Sequence, residues 1–215
     1  LVLPNCVAPE RWAQLRPVRR AGKRPRVGWA GQRSVHFSDL ELLRQVMDDL
    51  GDEVEWVFLG DTPVFARAPG RLVESFPMVP IQNYPAQLAA MNLDLALAPL
   101  AMNRFNEAKS DIRLLHYGAL GYPVVATDIA PHRQAPVKLV PNHVAAWVEA
   151  IRERIADPDA AAREGERLRE WVFASRSIEV WIAKYAEAWF GCSRDDKEMV
   201  AAAGSRATVS QVPTF

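Results

Sequence analysis

The 215-residue chain is 49% apolar and 24% charged, the composition of an ordinary globular protein. Its 26 basic and 26 acidic side chains cancel, which argues against the broad basic surface that general nucleic-acid binding needs. No apolar run approaches the roughly 20 residues required to span a bilayer. Cys6 and Cys192 stand near opposite ends and read as free thiols in a reducing, cytoplasmic setting, and the four histidines (His36, His116, His132, His143) have no metal-ligand spacing.

Taken in chain order, residues 1–25 form an irregular entry segment. The chain opens on LVLPN without a Met, as if continuing a longer protein. Four prolines and the basic stretch RPVRRAGKRPR then read as a solvated linker. A rhythm follows. RVGWAG (26–31) is a short apolar strand ending in Gly. DLELLRQVMDDLG (39–51) places Leu40, Leu43, Met47 and Leu50 at helical spacing, with Ser38 as N-cap and Gly51 as stop. EVEWVFLG (53–60) is a second strand and RLVESFPMVP (71–80) contains a third. A helix over 84–92 precedes the buried strand LDLALAPL (93–100). A helix over 106–121 precedes the strand PVVATD (123–128), and VKLVP (137–141) adds an edge strand. Residues 141–189 read as helical, with breaks near Asp157-Pro158 and at 174–177; residues 191–215 read as a mobile tail.

Strands alternating with helices predict right-handed crossovers and a parallel sheet. ALAPL and PVVAT lack alternation, as strands buried on both faces do. The expectation is an α/β, doubly wound, Rossmann-like domain over residues 26–190 with a C-terminal helical cap. Ligands of such sheets sit beyond the carboxyl ends of the strands. That rule gathers residues 31–38, 60–62, 100–110 and 127–132 around one crevice.

Two readings of the first loop stand side by side. Gly28 and Gly31 either permit a tight turn or let the amides of residues 32–34, with Arg33, face a phosphate. The segment FNEAKSDIRLLHYGALGYPVVATD (105–128) is more pointed. A helix starting near Asn106 would bring free N–H groups to the crevice, and Lys109 and Ser110 would meet an anion there. His116, two turns on, would meet a ribose hydroxyl, and Lys109 is expected to matter more for affinity. Arg113 reads as a surface ion-pair partner. Trp181, Tyr185 and Trp189 share one helical face and are expected to cover an interface. The familiar nucleophile-elbow, P-loop and kinase motifs are absent from the sequence.

The same residues resemble a family. LVLPN with Trp12, VGWAGQRSVHFSDLELL, the 105–128 segment and the closing helices with Trp181 and Trp189 are similar, in order, to the C-terminal domain of GT-B type glycosyltransferases. The likeness is to the retaining group that builds bacterial surface polysaccharides. It implies one half of a GT-B fold that binds a nucleoside diphosphate sugar through Gly31, Arg33, Ser34, Asn106, Lys109, Ser110 and His116, with no metal or other cofactor. Of the family's two Glu residues, the first falls on Ala108, beside Glu107, and the second on His116. The implied partners are the sugar donor and an N-terminal acceptor domain outside this sequence; no nucleic acid is implied. Residence in the cytoplasm at the inner face of a membrane is compatible with this. The alternative is a GT-B-like domain that has lost catalysis and serves as a nucleotide- or partner-binding module. A flavodoxin-like regulatory domain would want clustered acids after the first strand, and WAGQRS has none.

Overall fold

A computed structural model describes residues 2–18, 24–31, 37–69, 71 and 73–191. Six parallel strands form one sheet in the order β3-β2-β1-β4-β5-β6. They are β1 (Arg26–Gly31), β2 (Glu55–Gly60), β3 (Val73–Phe76), β4 (Leu95–Ala98), β5 (Val124–Thr127) and β6 (Lys138–Val140). Every residue of β4 and β5 is buried, as the unbroken apolar runs require of strands covered on both faces.

Two apolar layers cover the sheet. On one face lie α2 (Phe37–Leu50) and α6 (Val144–Ala156), contributing Leu40, Leu43, Met47, Trp147 and Ile151. On the other lie α3 (Tyr84–Ala90), α5 (Ile112–Ala119) and α7 (Pro158–Ser175), contributing Leu88, Leu114, Leu115, Leu168 and Val172. The entry segment joins this second layer and is not wholly a linker. A turn of helix, α1 (Pro9–Trp12), buries Trp12, while Val7 is buried and bridges to Ser177. The basic stretch falls partly outside the described residues, as do Cys192 and the rest of the predicted tail.

The ends of the sheet differ in chemistry. At the amino end Arg26 is 2% exposed, pairs with Glu55 and with Glu74 at 2.6 Å, and donates to the carbonyl of Met91. That end is closed by ion pairs. At the carboxyl end the backbones of β1 and β2 approach closely through glycine. A Cβ on Gly60, whose φ is +95°, would run into the Gly31 carbonyl. β1 and β4 are neighbours whose following connections run to opposite sides, so the crevice opens between their carboxyl ends.

The helix expected over 106–121 is divided. One turn, α4 (Arg104–Glu107), ends before Lys109, and α5 starts at Ile112. The break follows from Asn106, whose side chain is drawn into the core (2% exposed) toward Asp39. The closing helices are α6, α7 and α8 (Ile178–Phe190), divided near the predicted breaks. In α8, which contains no buried residue, Trp181 donates to the Ser175 carbonyl and Tyr185 to that of Pro4, while Trp189 is 73% exposed.

Where α7 crosses α5 the helices touch through glycine. A Cβ at Gly165 would collide with the Gly121 carbonyl, and one at Gly118 would lie 2.7 Å from both Leu168 and Val172. Gly165→Ala is therefore expected to cost about 1–3 kcal/mol, as overpacking does. Urea unfolding should show a lower midpoint at unchanged slope; an unchanged midpoint would show that the crossing tolerates a methyl group.

Candidate functional site

The crevice is organised by a carboxylate. Asp39, in the first turn of α2, is 2% exposed. Its Oδ1 accepts from the Ala101 amide at 2.8 Å and from Asn106 Nδ2 at 2.7 Å, and its Oδ2 meets Lys109 Nζ at 3.1 Å. Asn106 Nδ2 also donates to the Ala101 carbonyl at 2.8 Å, and Asn103 caps α4 by accepting from the Asn106 amide at 2.9 Å. The loop after β4 is thereby fixed to α2. Lys109 lies between α4 and α5, not in a first helical turn, and its charge is matched by Asp39. Its amine also lies 5.1 Å from the centre of the Phe105 ring.

Arg113 brings the cation that faces the end of β1. Its guanidinium carbon lies 5.2 Å from the Trp29 ring centre, and one of its amines stands 3.2 Å from where a Gly31 Cβ would be. Gly31 thus leaves room for Arg113. Tyr117, on the next turn of α5, accepts from the Ala30 amide at 2.9 Å and ties the helix to the same strand end. Of the other expected ligands, Ser110 is exposed just ahead of α5. Arg33 and Ser34 fall outside the described residues.

His116 lies three residues beyond Arg113, on the same helical face. It does not stand free at a pocket wall. Its ring stacks on Trp12 at 4.8 Å with 16° between planes, and the Tyr84 ring centre is 5.3 Å away. These three line a cleft of ≈ 430 Å³, including its open mouth, with Cys6, Arg11 and Ile81. Burial, reinforced by Arg113 and Arg11, pushes the His116 imidazole down to about 4. It is neutral at physiological pH, so it offers hydrogen bonds and a stacking face without charge.

A second neutral imidazole borders the crevice. His132 follows β5 in a short 3-10 turn (Ala130–His132), is 3% exposed, and lies near enough to Arg113 and Asp39 to feel both charges. Burial is the main cause that pushes it, too, down to about 4. Among the described residues no cluster of three or more His, Cys, Asp or Glu is placed to hold a metal ion.

Asp39, Arg113, His132 and Trp12 are the residues that sequence reasoning did not assign to the site. Asp39 looks like any acid in a helix's first turn. His132 lay in a loop assigned to the crevice, but nothing in its neighbours suggested a role. Trp12 is separated from His116 by more than a hundred residues, and no local pattern joins them.

Neither a protein-family model nor a curated protein matches the chain. Solved structures share its fold. Sucrose-phosphate synthase from Thermosynechococcus elongatus superposes with a TM-score of 0.66 at 16% identity, covering 94% of this chain and 53% of its own. HepE from Anabaena, in complex with UDP and glucose, gives 0.59 at 14%, covering 78% and 48%. An alpha-glucosyltransferase in complex with UDP and a DNA 13-mer gives 0.55 at 13%, covering 76% and 54%. The chain spans about half the length of each.

Lys109→Ala is expected to act on the fold first, because it strands a buried carboxylate. The expected cost is on the order of 1–3 kcal/mol. Adding Asp39→Asn should recover part of it in a double-mutant cycle on urea unfolding. Additive losses would show that the two side chains do not interact.

The histidines set a pH dependence. A folded pKa near 4 against about 6.5 unfolded means that the unfolded chain takes up the proton first. Stability is therefore full above pH 6.5 and falls as pH drops toward 4, by at most about 1.4 kcal/mol per pH unit per histidine. His116→Phe keeps the ring stack and removes one titration. It should flatten the slope of unfolding free energy relative to wild type across that window. Equal slopes would place the His116 pKa near its ordinary value.

Proposed function

We propose that this chain is the donor-binding half of a glycosyltransferase that takes a nucleoside diphosphate sugar and transfers its sugar to a glycan or similar acceptor. The observation that carries the reading is the face of α5. Arg113 stands beside the glycine-lined end of β1, and His116 lies three residues on in an aromatic cleft. A diphosphate wants a cation and helix-start amides. A base and ribose want flat, neutral surfaces with hydrogen-bonding edges. Here both stand on one helix at adjoining positions. Among structures with this fold, HepE and the alpha-glucosyltransferase hold UDP, which supports the same class of ligand.

In this reading Arg113 is the main diphosphate cation, and Lys109 contributes mainly by holding the loop. His116 and Tyr84 border the nucleoside. Transfer proceeds by stabilising the departing diphosphate with preorganised donors, and no metal ion is required. The acceptor would be held by a further domain outside this sequence. The finer assignment is to the C-terminal domain of a retaining GT-B enzyme for bacterial surface polysaccharide, at the cytoplasmic face of the membrane. It rests on the resemblance in residues 105–128. Among the described residues no helix is long and apolar enough to cross a membrane.

A second reading is favoured by one feature. One face of His116 is already stacked on Trp12, with Tyr84 tilted beside it, as suits a binding module that has given up turnover. Sugar transfer by the full-length protein separates the two.

The ligand class is tested by calorimetric titration of UDP, GDP and ADP into wild type and Arg113→Ala. One diphosphate is expected to bind, and Arg113→Ala to weaken it about tenfold or more, as loss of a charge-assisted bond does. The deficit should shrink at high salt. If Arg113→Ala binds like wild type, the diphosphate does not sit on this face of α5.

A further inference from the structure

We propose that Arg11 selects the base of the bound nucleotide, its guanidinium donating to the carbonyl oxygen that uracil and guanine carry and rejecting the amino group that cytosine and adenine carry at the same place. The inference rests on the reading of the aromatic cleft as the seat of the nucleoside and names the group there that tells one base from another.

Arg11 and Trp12 are successive residues of α1, and both line the cleft. Trp12 is buried and stacks on His116, whereas Arg11 is exposed. Arg11 Nη2 donates to the carbonyl of Ile81, which lines the cleft with Tyr84 and Pro85. That bond anchors the guanidinium at the cleft, between α1 and the segment leading into α3. Its charge also reaches His116 and helps to keep the imidazole neutral. One carbonyl engages only part of a guanidinium's five N–H groups. Among the described residues the remaining N–H groups have no hydrogen-bond or ion-pair partner. Nor, among those residues, does a carboxylate line the cleft.

The rings of Trp12, Tyr84 and His116 offer stacking faces, and stacking takes any base because every base has a π-face. Selection must therefore come from groups that meet the edge of the base. Arg11 is the one charged side chain lining the cleft among the described residues, and a guanidinium donates and cannot accept. Guanine offers it O6 and N7, two acceptors at the spacing of the guanidinium fork, and uracil offers O4. Adenine and cytosine turn an amino group toward the same place, and its hydrogens oppose those of the guanidinium.

The test reads a ratio of affinities within two pairs of diphosphates. UDP is compared with CDP, and IDP, which carries O6 and N7 without guanine's second amino group, with ADP. Each is titrated, with GDP alongside, into wild type, Arg11→Ala and Arg11→Gln, and thermal melts check that the variants keep their fold. In the pair that the cleft admits, wild type is expected to bind the carbonyl member about tenfold or more tightly, the worth of one charge-assisted hydrogen bond. Arg11→Ala should bring the two members to within about threefold by removing that bond. Arg11→Gln should narrow the gap as well, because its amide oxygen accepts from an amino group. A wild type without preference for the carbonyl member would overturn the assignment. So would a preference that survives both substitutions while all affinities fall together, as expected if Arg11 met the diphosphate or only braced the cleft. Either result would leave the proposed function standing. Failure of wild type to bind any of the five diphosphates would overturn both.

Discussion

The buried carboxylate of Asp39 is the constraint on which the crevice depends. A carboxylate in an apolar interior is tolerated only when its oxygens are bonded. Asp39 meets that demand with one backbone amide, one side-chain amide and one ammonium, all from residues 101–109. The three partners belong to the connection after β4, and the acid belongs to the helix after β1. The interaction therefore spans the two strands at which the sheet reverses direction. It ties the loop after β4 to α2, while Tyr117 ties α5 to the end of β1.

A division of labour among the charged groups follows. Lys109 and Asn106 are engaged in holding the loop, so the cation that faces the strand end comes from the next segment, as Arg113. Arg113 in turn acts on both neighbouring imidazoles, holding His116 and His132 in the neutral state together with burial. At the start of α5, Asp111 pairs with Arg176 at 3.0 Å, and Arg176 reaches Gln134 at 2.9 Å. Burial pushes the Asp111 carboxyl up, and Arg176 pulls it back. The helix that carries the candidate ligands is thus pinned at its start by an ion pair to the end of α7 and along its length by glycine contacts. Mobility would blur the position of Arg113, and both contacts oppose it.

Much of this architecture was legible in the sequence because it depends on short-range signals. Unbroken apolar runs at ALAPL and PVVAT announced strands covered on both faces, and Gly60 and Gly121 closed their elements where φ is positive. The breaks at Asp157-Pro158 and Ser177 were readable because Asp157 and Ser177 cap the helices that follow. The division of the 106–121 helix was not, because its cause is Asn106 reaching a residue 67 positions away. Local propensity favours one continuous helix there, and a buried tertiary hydrogen bond overrides it. The same distance hid the stacking of Trp12 on His116, and with it the fact that the entry segment belongs to the core.

These long-range contacts also change what the resemblance in residues 105–128 means. A histidine in place of a ribose-binding carboxylate looks like a loss when the sequence is read alone. In the folded chain a carboxylate at position 116 would lie beside Trp12 and Tyr84 rather than in water, and desolvation would oppose its charge. A neutral imidazole suits those surroundings: it stacks on Trp12 and keeps a nitrogen for a hydroxyl. The substitution and the aromatic surroundings are therefore consistent with each other. A nucleoside entering this cleft would meet the rings of Trp12, Tyr84 and His116, with Arg11 on the cleft wall and Arg113 one turn back along α5. Rings around His116 and a guanidinium at Arg113, adjoining on one helix, match the order of base, ribose and diphosphate along a nucleotide.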